Sequence, residues 1–213
     1  MTRKMRHTTY GILHTAYNSG FSIIEMLVTI SIIAIISSIV LISFPTFAST
    51  IVLENLTHEI ALVVRQAQVY GIGIKQAQQA LGGDFPSYGA HFDTSTDESQ
   101  KQVIFFADVD GDGIYSAGEE VETFLIQRGN TISGLCYEHA STSADCTNTQ
   151  NDTNVIDITF TRPNPTAHIN INADSLKVDR DSAKITVSPP DGSEIGNRFI
   201  YVSLTGQIAV TSE

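Results

Sequence analysis

The chain has 213 residues, of which 42% are hydrophobic and 16% charged, and its 12 Lys+Arg against 23 Asp+Glu give a formal net charge of -11. That length holds one domain, or one domain with an appendage. The acidic excess argues against a nucleic-acid groove, whose affinity comes from basic side chains that displace phosphate counterions. Two cysteines are too few for a disulfide-rich scaffold or a four-thiolate zinc site.

Residues 1–20 carry Arg3, Lys4 and Arg6 without an acid and end in Gly20; Phe21 to Phe44 then run 24 residues with Glu25 as the only ionisable side chain. A helix of that length spans about 36 Å, enough for a hydrocarbon core of about 30 Å. The basic flank in front predicts that the N-terminus stays cytoplasmic and that everything after Phe44 is exported.

Three readings compete for the apolar segment. A secretory signal has an apolar stretch of only about 7 to 15 residues before a small-residue cleavage site, and Thr46-Phe47-Ala48 is a poor site. A plain single-span anchor leaves Glu25 unexplained, because a carboxylate near the bilayer centre costs about 2.5 kcal/mol or more and calls for a partner. In the third reading, Gly20-Phe21-Ser22-Ile23-Ile24-Glu25-Met26-Leu27-Val28 resembles the processing signature of type IV prepilins and type II secretion pseudopilins.

That resemblance implies a membrane prepilin peptidase that cuts after Gly20 and methylates the new N-terminal residue, Phe21. It also gives Glu25, the fifth residue of the trimmed chain, a role in assembly. The new amine would lie inside a bundle of apolar helices, where the Glu25 carboxylate of a neighbouring subunit is a suitable partner at low dielectric and sets axial register. The chain departs from the family pattern at its first proline. Many pilins carry a kinking proline about three residues earlier than Pro45, so a kink is either displaced here or Pro45 marks the membrane exit.

Beyond the membrane, Leu53, Leu56, Ile60, Val63, Ala67, Tyr70 and Ile74 recur at alternating steps of 3 and 4, with polar residues on the other faces. This predicts an amphipathic helix over 45–80, packed on a sheet or forming a coiled-coil seam, and ended by Gly82-Gly83. Strand-like runs follow at 103–107, 121–126, 155–160, 185–187, 199–204 and 207–210, the last two forming a hairpin across Thr205-Gly206. The expected fold class is α+β. A long spine helix, membrane-spanning over 21–44 and amphipathic over 45–80, packs on a mostly antiparallel sheet in the exported part, 81–213. The pilin resemblance implies the same architecture. Val63-Val64-Arg65-Gln66-Ala67-Gln68, the Asp-rich hairpin and the closing hairpin are most similar to the H-type minor pseudopilins.

The segment Asp108 to Glu119 fits the calcium-loop pattern D-x-D-x-D-G-x5-E without a mismatch. Asp108, Asp110, Asp112, the Ile114 carbonyl, a bidentate Glu119 and a water near Ser116 would supply the six to eight oxygens that calcium takes. The alternative is a metal-free turn: strands flank the loop where an EF-hand would have helices, and Asp-Gly repeats also make hairpins. Cys136 and Cys146 bracket a polar loop. In an exported domain a disulfide between them is the leading reading, and in a reducing cytosol they would be free thiols.

No nucleophile elbow, P-loop or zinc-protease motif occurs, and His58-Glu59 lacks a second histidine four residues after His58. The expected function is therefore non-enzymatic: a structural subunit of a type IV pilus or type II secretion-like filament, with calcium as a possible cofactor. Its partners would be the prepilin peptidase, an inner-membrane assembly platform and homologous subunits. It would sit in the inner membrane before assembly and in a periplasmic or extracellular filament after it. A surface adhesin or DNA-capturing tip pilin is the alternative. Arg162, Lys177, Arg180, Lys184 and Arg198 form the one substantial basic grouping, interleaved with Asp174, Asp179, Asp181, Asp191 and Glu194.

Overall fold

A computed structural model describes residues 20–73, 85–138, 152–171, 180–190 and 196–212. The chain divides into two compact units, 1–43 and 44–213, and one helix, α1 (Ile23–Ile72), supplies residues to both. In the first unit the described helix is apolar apart from Glu25 and a few hydroxyl side chains, and it is long and apolar enough to cross a membrane. Its hydroxyls bond back to the helix: Thr29 Oγ1 donates to the Met26 carbonyl at 3.0 Å, Ser31 Oγ to Leu27 at 2.7 Å and Ser38 Oγ to Ala34 at 2.8 Å. Internal satisfaction of this kind is what a segment facing hydrocarbon requires. α1 continues through Pro45, whose side chain lies outside the described residues.

The second unit is built on two five-stranded antiparallel sheets. The strands are β1 (Ser87–Asp93), β2 (Gln102–Asp108), β3 (Glu120–Leu125), β4 (Thr131–Glu138), β5 (Asp152–Thr153), β6 (Val155–Phe160), β7 (Ala167–Ile171), β8 (Ser182–Ser188), β9 (Arg198–Ser203) and β10 (Ile208–Ser212). The first sheet runs β3-β2-β1-β6-β7 and the second β10-β9-β8-β4-β5. The α+β architecture and the antiparallel pairing agree with the sequence expectation, but the strands divide between two sheets. The closing hairpin forms as expected, with Val202 opposite Ile208 and Gly206 at φ +81 in its turn.

The amphipathic stretch of α1 closes the core. Leu53, Leu56, Ile60, Val64 and Ala67 are buried together with inward residues of both sheets. Val64 takes the central place that the periodicity gave to Val63, which is partly buried beside Tyr70; Ile74 lies outside the described residues. The 3.6-residue period drifts against a strict 3-4 alternation, so the buried stripe moves across to Val64, Gln68 and Gly71. Tyr70 meets the first sheet edge-on, 5.6 Å from Tyr88 and 5.5 Å from Phe105 between ring centroids. Buried Gln68 donates Nε2 to the carbonyls of Gly206 (2.9 Å) and Pro165 (3.1 Å), tying the helix to two turns.

The central strand β1 gives little sequence signal. Its outward residues are Ser87, Gly89 and His91, and small or polar residues carry low strand propensity. Gly89 is required by packing, since a Cβ there would lie 2.6 Å from the Phe106 ring and 2.7 Å from Thr159 Cγ2. β4 and β7 are also absent from the sequence reading, with Ser-Gly interrupting one and His-Ile-Asn the other.

Gly71 is the point of closest helix-to-sheet approach, because a Cβ there would stand 2.1 Å from the Phe160 carbonyl oxygen. Gly71→Ala must push the last turn of α1 off β6. It is expected to cost about 2 kcal/mol or more, read as a fall in Tm of about 5 °C or more by thermal unfolding of the full chain.

Candidate functional site

The most polar buried region lies on the outer face of the first sheet. Alternation along β6 sends Ile156, Ile158 and Phe160 into the core and Asp157 and Thr159 outward. Register places Asp157 between His91 of β1 and Asn170 of β7, and Thr159 between Gly89 and His168. Residues 108–119, the β2–β3 connection, fold back over this face. Tyr115 packs on His91 with ring centroids 4.7 Å apart and meets Phe106 edge-on at 5.6 Å. Asn170 Nδ2 donates to the Gly113 carbonyl at 2.7 Å.

The loop braces itself with its own carboxylates. Asp108 Oδ1 accepts from the Gly111 amide (2.9 Å), Asp110 Oδ1 from Asp112 (3.2 Å) and Asp112 Oδ1 from Ile114 (2.7 Å). Gly111, Gly113 and Gly118 take positive φ, which glycine adopts without strain. At the base, Ala107 donates its amide to the Glu119 carbonyl at 2.9 Å, next to a β-bulge at Phe105/Phe106. Bulges re-aim a strand at such places.

Asp108, Asp110 and Asp112 each bring a carboxylate oxygen within 4.8 Å of the others. Glu119 stands outside that group. It is 7% exposed, and its oxygens accept from the amides of Val109 (2.8 Å) and Ser116 (2.9 Å). Each carboxylate oxygen keeps a second lone pair, so these bonds leave Glu119 capacity to ligate. Ile114 and Ser116 belong to the same turn, where the Ser116 carbonyl accepts from the Glu119 amide at 3.1 Å. The donor set is all oxygen and strongly anionic, and it fits a hard divalent cation.

Asp108 is 3% exposed. Burial, reinforced by the charges of Glu119 and Asp112 and opposed by the amides of Gly111 and Gly113, raises its pKa to about 6. Tyr115 is raised by burial and by the charge of Glu120, whereas Glu120 is lowered by amide and Tyr115 hydrogen bonds. A cleft of about 380 Å³ opens beside the loop, lined among others by Asp108, Asp112, Thr159, Asn170 and Arg180.

Asp157 is fully buried, with Oδ1 2.7 Å from His91 Nδ1 and no hydrogen-bond partner for Oδ2 among the described residues. The sequence reading missed this pair and the Asn170 clamp. Only an aspartate inside the apolar run Val155–Phe160 hinted at it. His58 and Glu59 are both exposed on α1. Cys136 is buried on β4, and Cys146 lies outside the described residues, as do Lys177, Asp174, Asp179, Asp191 and Glu194.

At the other end of the described chain, a Cβ on Gly20 would meet nothing within 4 Å, and its backbone has no positive φ. The fold itself therefore makes no demand for glycine at this position. Phe21 is 80% exposed, and Glu25 occupies the first turn of α1, where a helix macrodipole favours a negative charge. Residues 15–41 match the family model described as the prokaryotic N-terminal methylation motif. The motif marks a type IV pilin-like precursor, processed by prepilin peptidase. The match covers Gly20, where the fold makes no demand for glycine, and the bond after it. No curated protein and no solved structure matches the chain.

The Asp108 carboxyl binds its proton more tightly folded than unfolded. The folded state therefore holds more protons between pH 4 and 6, and stability falls as pH rises through that window. In metal-free protein, Asp108→Asn should remove that part of the fall, measured as Tm against pH.

Proposed function

We propose that the chain is a structural subunit of a type IV pilus or type II secretion-like filament, of the H-type minor pseudopilin kind. The observation that carries this reading is Gly20 before an exposed Phe21, with Glu25 one turn into an apolar helix that can span a membrane. Peptidase cleavage after Gly20 leaves the Phe21 amine as a positive charge at the head of that helix. In an apolar bundle it pairs with the Glu25 carboxylate of a neighbour, since low dielectric strengthens the attraction and penalises either charge alone. Helix packing then carries assembly, with the domain after residue 44 outside the cytoplasm and the inner-membrane platform driving insertion. The role is structural rather than enzymatic.

Calcium is the cofactor proposed for the 108–119 loop, held by Asp108, Asp110 and Asp112 with Glu119, the Ile114 carbonyl and a water near Ser116. When bound it supplies positive charge that offsets the mutual repulsion of three clustered carboxylates. The chain's own part is to position that cluster, through the Asn170 clamp and the Tyr115–His91 contact. A Cys136–Cys146 disulfide would restrain the loop after β4 in an oxidising compartment. The described basic residues argue against DNA capture. Arg162 donates to the Gly73 and Phe85 carbonyls, Arg180 is buried, and Lys184 lies 4.1 Å from the Phe199 ring centroid.

Mass spectrometry of the mature protein should find N-methylated Phe21 at its start, and Gly20→Ala should leave the precursor uncut. A product beginning near Ser49 would instead mean an ordinary signal peptide. Glu25→Val should insert and be cut yet assemble poorly; normal assembly would remove the register role. Calcium should raise the Tm of the full chain relative to chelator-treated protein, with Asp112→Asn reducing the rise, and an unchanged Tm would rule out the metal.

A further inference from the structure

We propose that the cleft of about 380 Å³ beside the 108–119 loop is a binding site for a short, uncharged saccharide. The cleft lies wholly within the second unit, so the site would serve the chain whether or not it is a filament subunit.

Two buried polar side chains carry this inference. Thr159 is 1% exposed and Asn170 is 7% exposed. Strand register sets Thr159 of β6 opposite His168 of β7, and Asn170 of β7 opposite Asp157. Asn170 uses Nδ2 on the Gly113 carbonyl at 2.7 Å, which leaves Oδ1 as an acceptor. The Thr159 methyl faces β1, where a Cβ on Gly89 would stand 2.7 Å from Cγ2. Its hydroxyl faces the loop, where a Cβ on Gly113 would stand 3.6 Å from Oγ1. Among the described residues neither Thr159 Oγ1 nor Asn170 Oδ1 has a hydrogen-bond partner. Buried polar groups are normally paired, whether by protein, ordered water or a ligand, and both of these residues line the cleft.

The remaining lining selects the ligand. Ser87 and Thr161, whose hydroxyl oxygens stand 2.7 Å apart, add two more groups that both donate and accept. His168 adds an exposed imidazole. Charges of both signs stand in the walls. Asp108 and Asp112 come from the loop, and Arg180, 4% exposed, donates Nη1 to the Ile169 carbonyl at 2.8 Å. An entering anion meets the two aspartates and an entering cation meets Arg180, so either is opposed by a like charge. An uncharged molecule with several hydroxyls avoids both costs. Its hydroxyls can donate to Asn170 Oδ1 and accept from Thr159, and Leu204 offers an apolar surface to the C–H face of a sugar ring. The volume falls within the range of small-molecule sites, about 300 to 1,000 Å³.

The test is a ligand-observed NMR titration of the full chain in a detergent without a sugar headgroup. Chelator treatment keeps the calcium reading out of the result. The probes are glucose, galactose, mannose, N-acetylglucosamine, lactose, maltose and chitobiose, with glucuronate and protonated glucosamine as charged counterparts. At least one neutral sugar is expected to bind with a Kd of about 1 mM or below. Thr159→Val, which removes the hydroxyl and keeps the branched shape, should weaken that binding about tenfold. His168→Ala, at an exposed position, should weaken it about threefold with an unchanged Tm, and so decides the matter if the Thr159 variant does not fold. Absence of binding by every neutral sugar would assign the cleft to ordered water and overturn the proposal. Tighter binding of glucuronate or glucosamine than of glucose, or an affinity indifferent to both substitutions, would overturn it as well.

Discussion

Burial of one stripe of α1 holds the second unit together. Leu53, Leu56, Ile60, Val64 and Ala67 stand among inward residues of both sheets. The larger of these side chains each contribute about 1.5 to 3 kcal/mol by leaving water. The stripe also needs close approach at its end, which Gly71 permits against Phe160. Two antiparallel sheets with a helix between their edge strands leave α1 one exposed ridge. That ridge follows from where the core lies.

A second consequence concerns the outer face of the first sheet. A sheet packed on a core normally leaves its far face to solvent. Here that face carries Asp157, Thr159 and Asn170, all buried, because the 108–119 connection lies over it. The covering loop is acidic, and the face beneath presents donors such as the Asn170 amide. Asp108 sits where the strand passes into the loop, which is why burial raises it while its aspartate neighbours in the turn stay exposed. A buried Asp157 facing His91 is costly to break from either side, because the partner left behind is an uncompensated polar group.

Long-period and short-range signals were both legible in the residues. The apolar run after Gly20, the amphipathic continuation, the strands rich in β-branched and aromatic residues, and the Thr205-Gly206 turn all formed. β1 and β7 were not legible. Their outward positions are Gly89, His91, His168 and Asn170, residues chosen by what packs over them rather than by strand propensity. Val64 in place of Val63 has the same origin, since the period of a real helix and the position of two sheets decide which side of a broad stripe goes inside.

By itself the sequence determined the membrane-length helix, the glycine-phenylalanine bond with its glutamate one turn on, and the aspartate spacing of the β2–β3 loop. These are local patterns, and each depends only on residues near it in the chain. Tertiary structure decided that the strands form two sheets, that Glu119 braces amides at the loop's base, and that Asn170 clamps Gly113 from 57 residues away. Contacts of that kind join residues far apart in the chain, and their partners exist only once a common core has brought the strands into register.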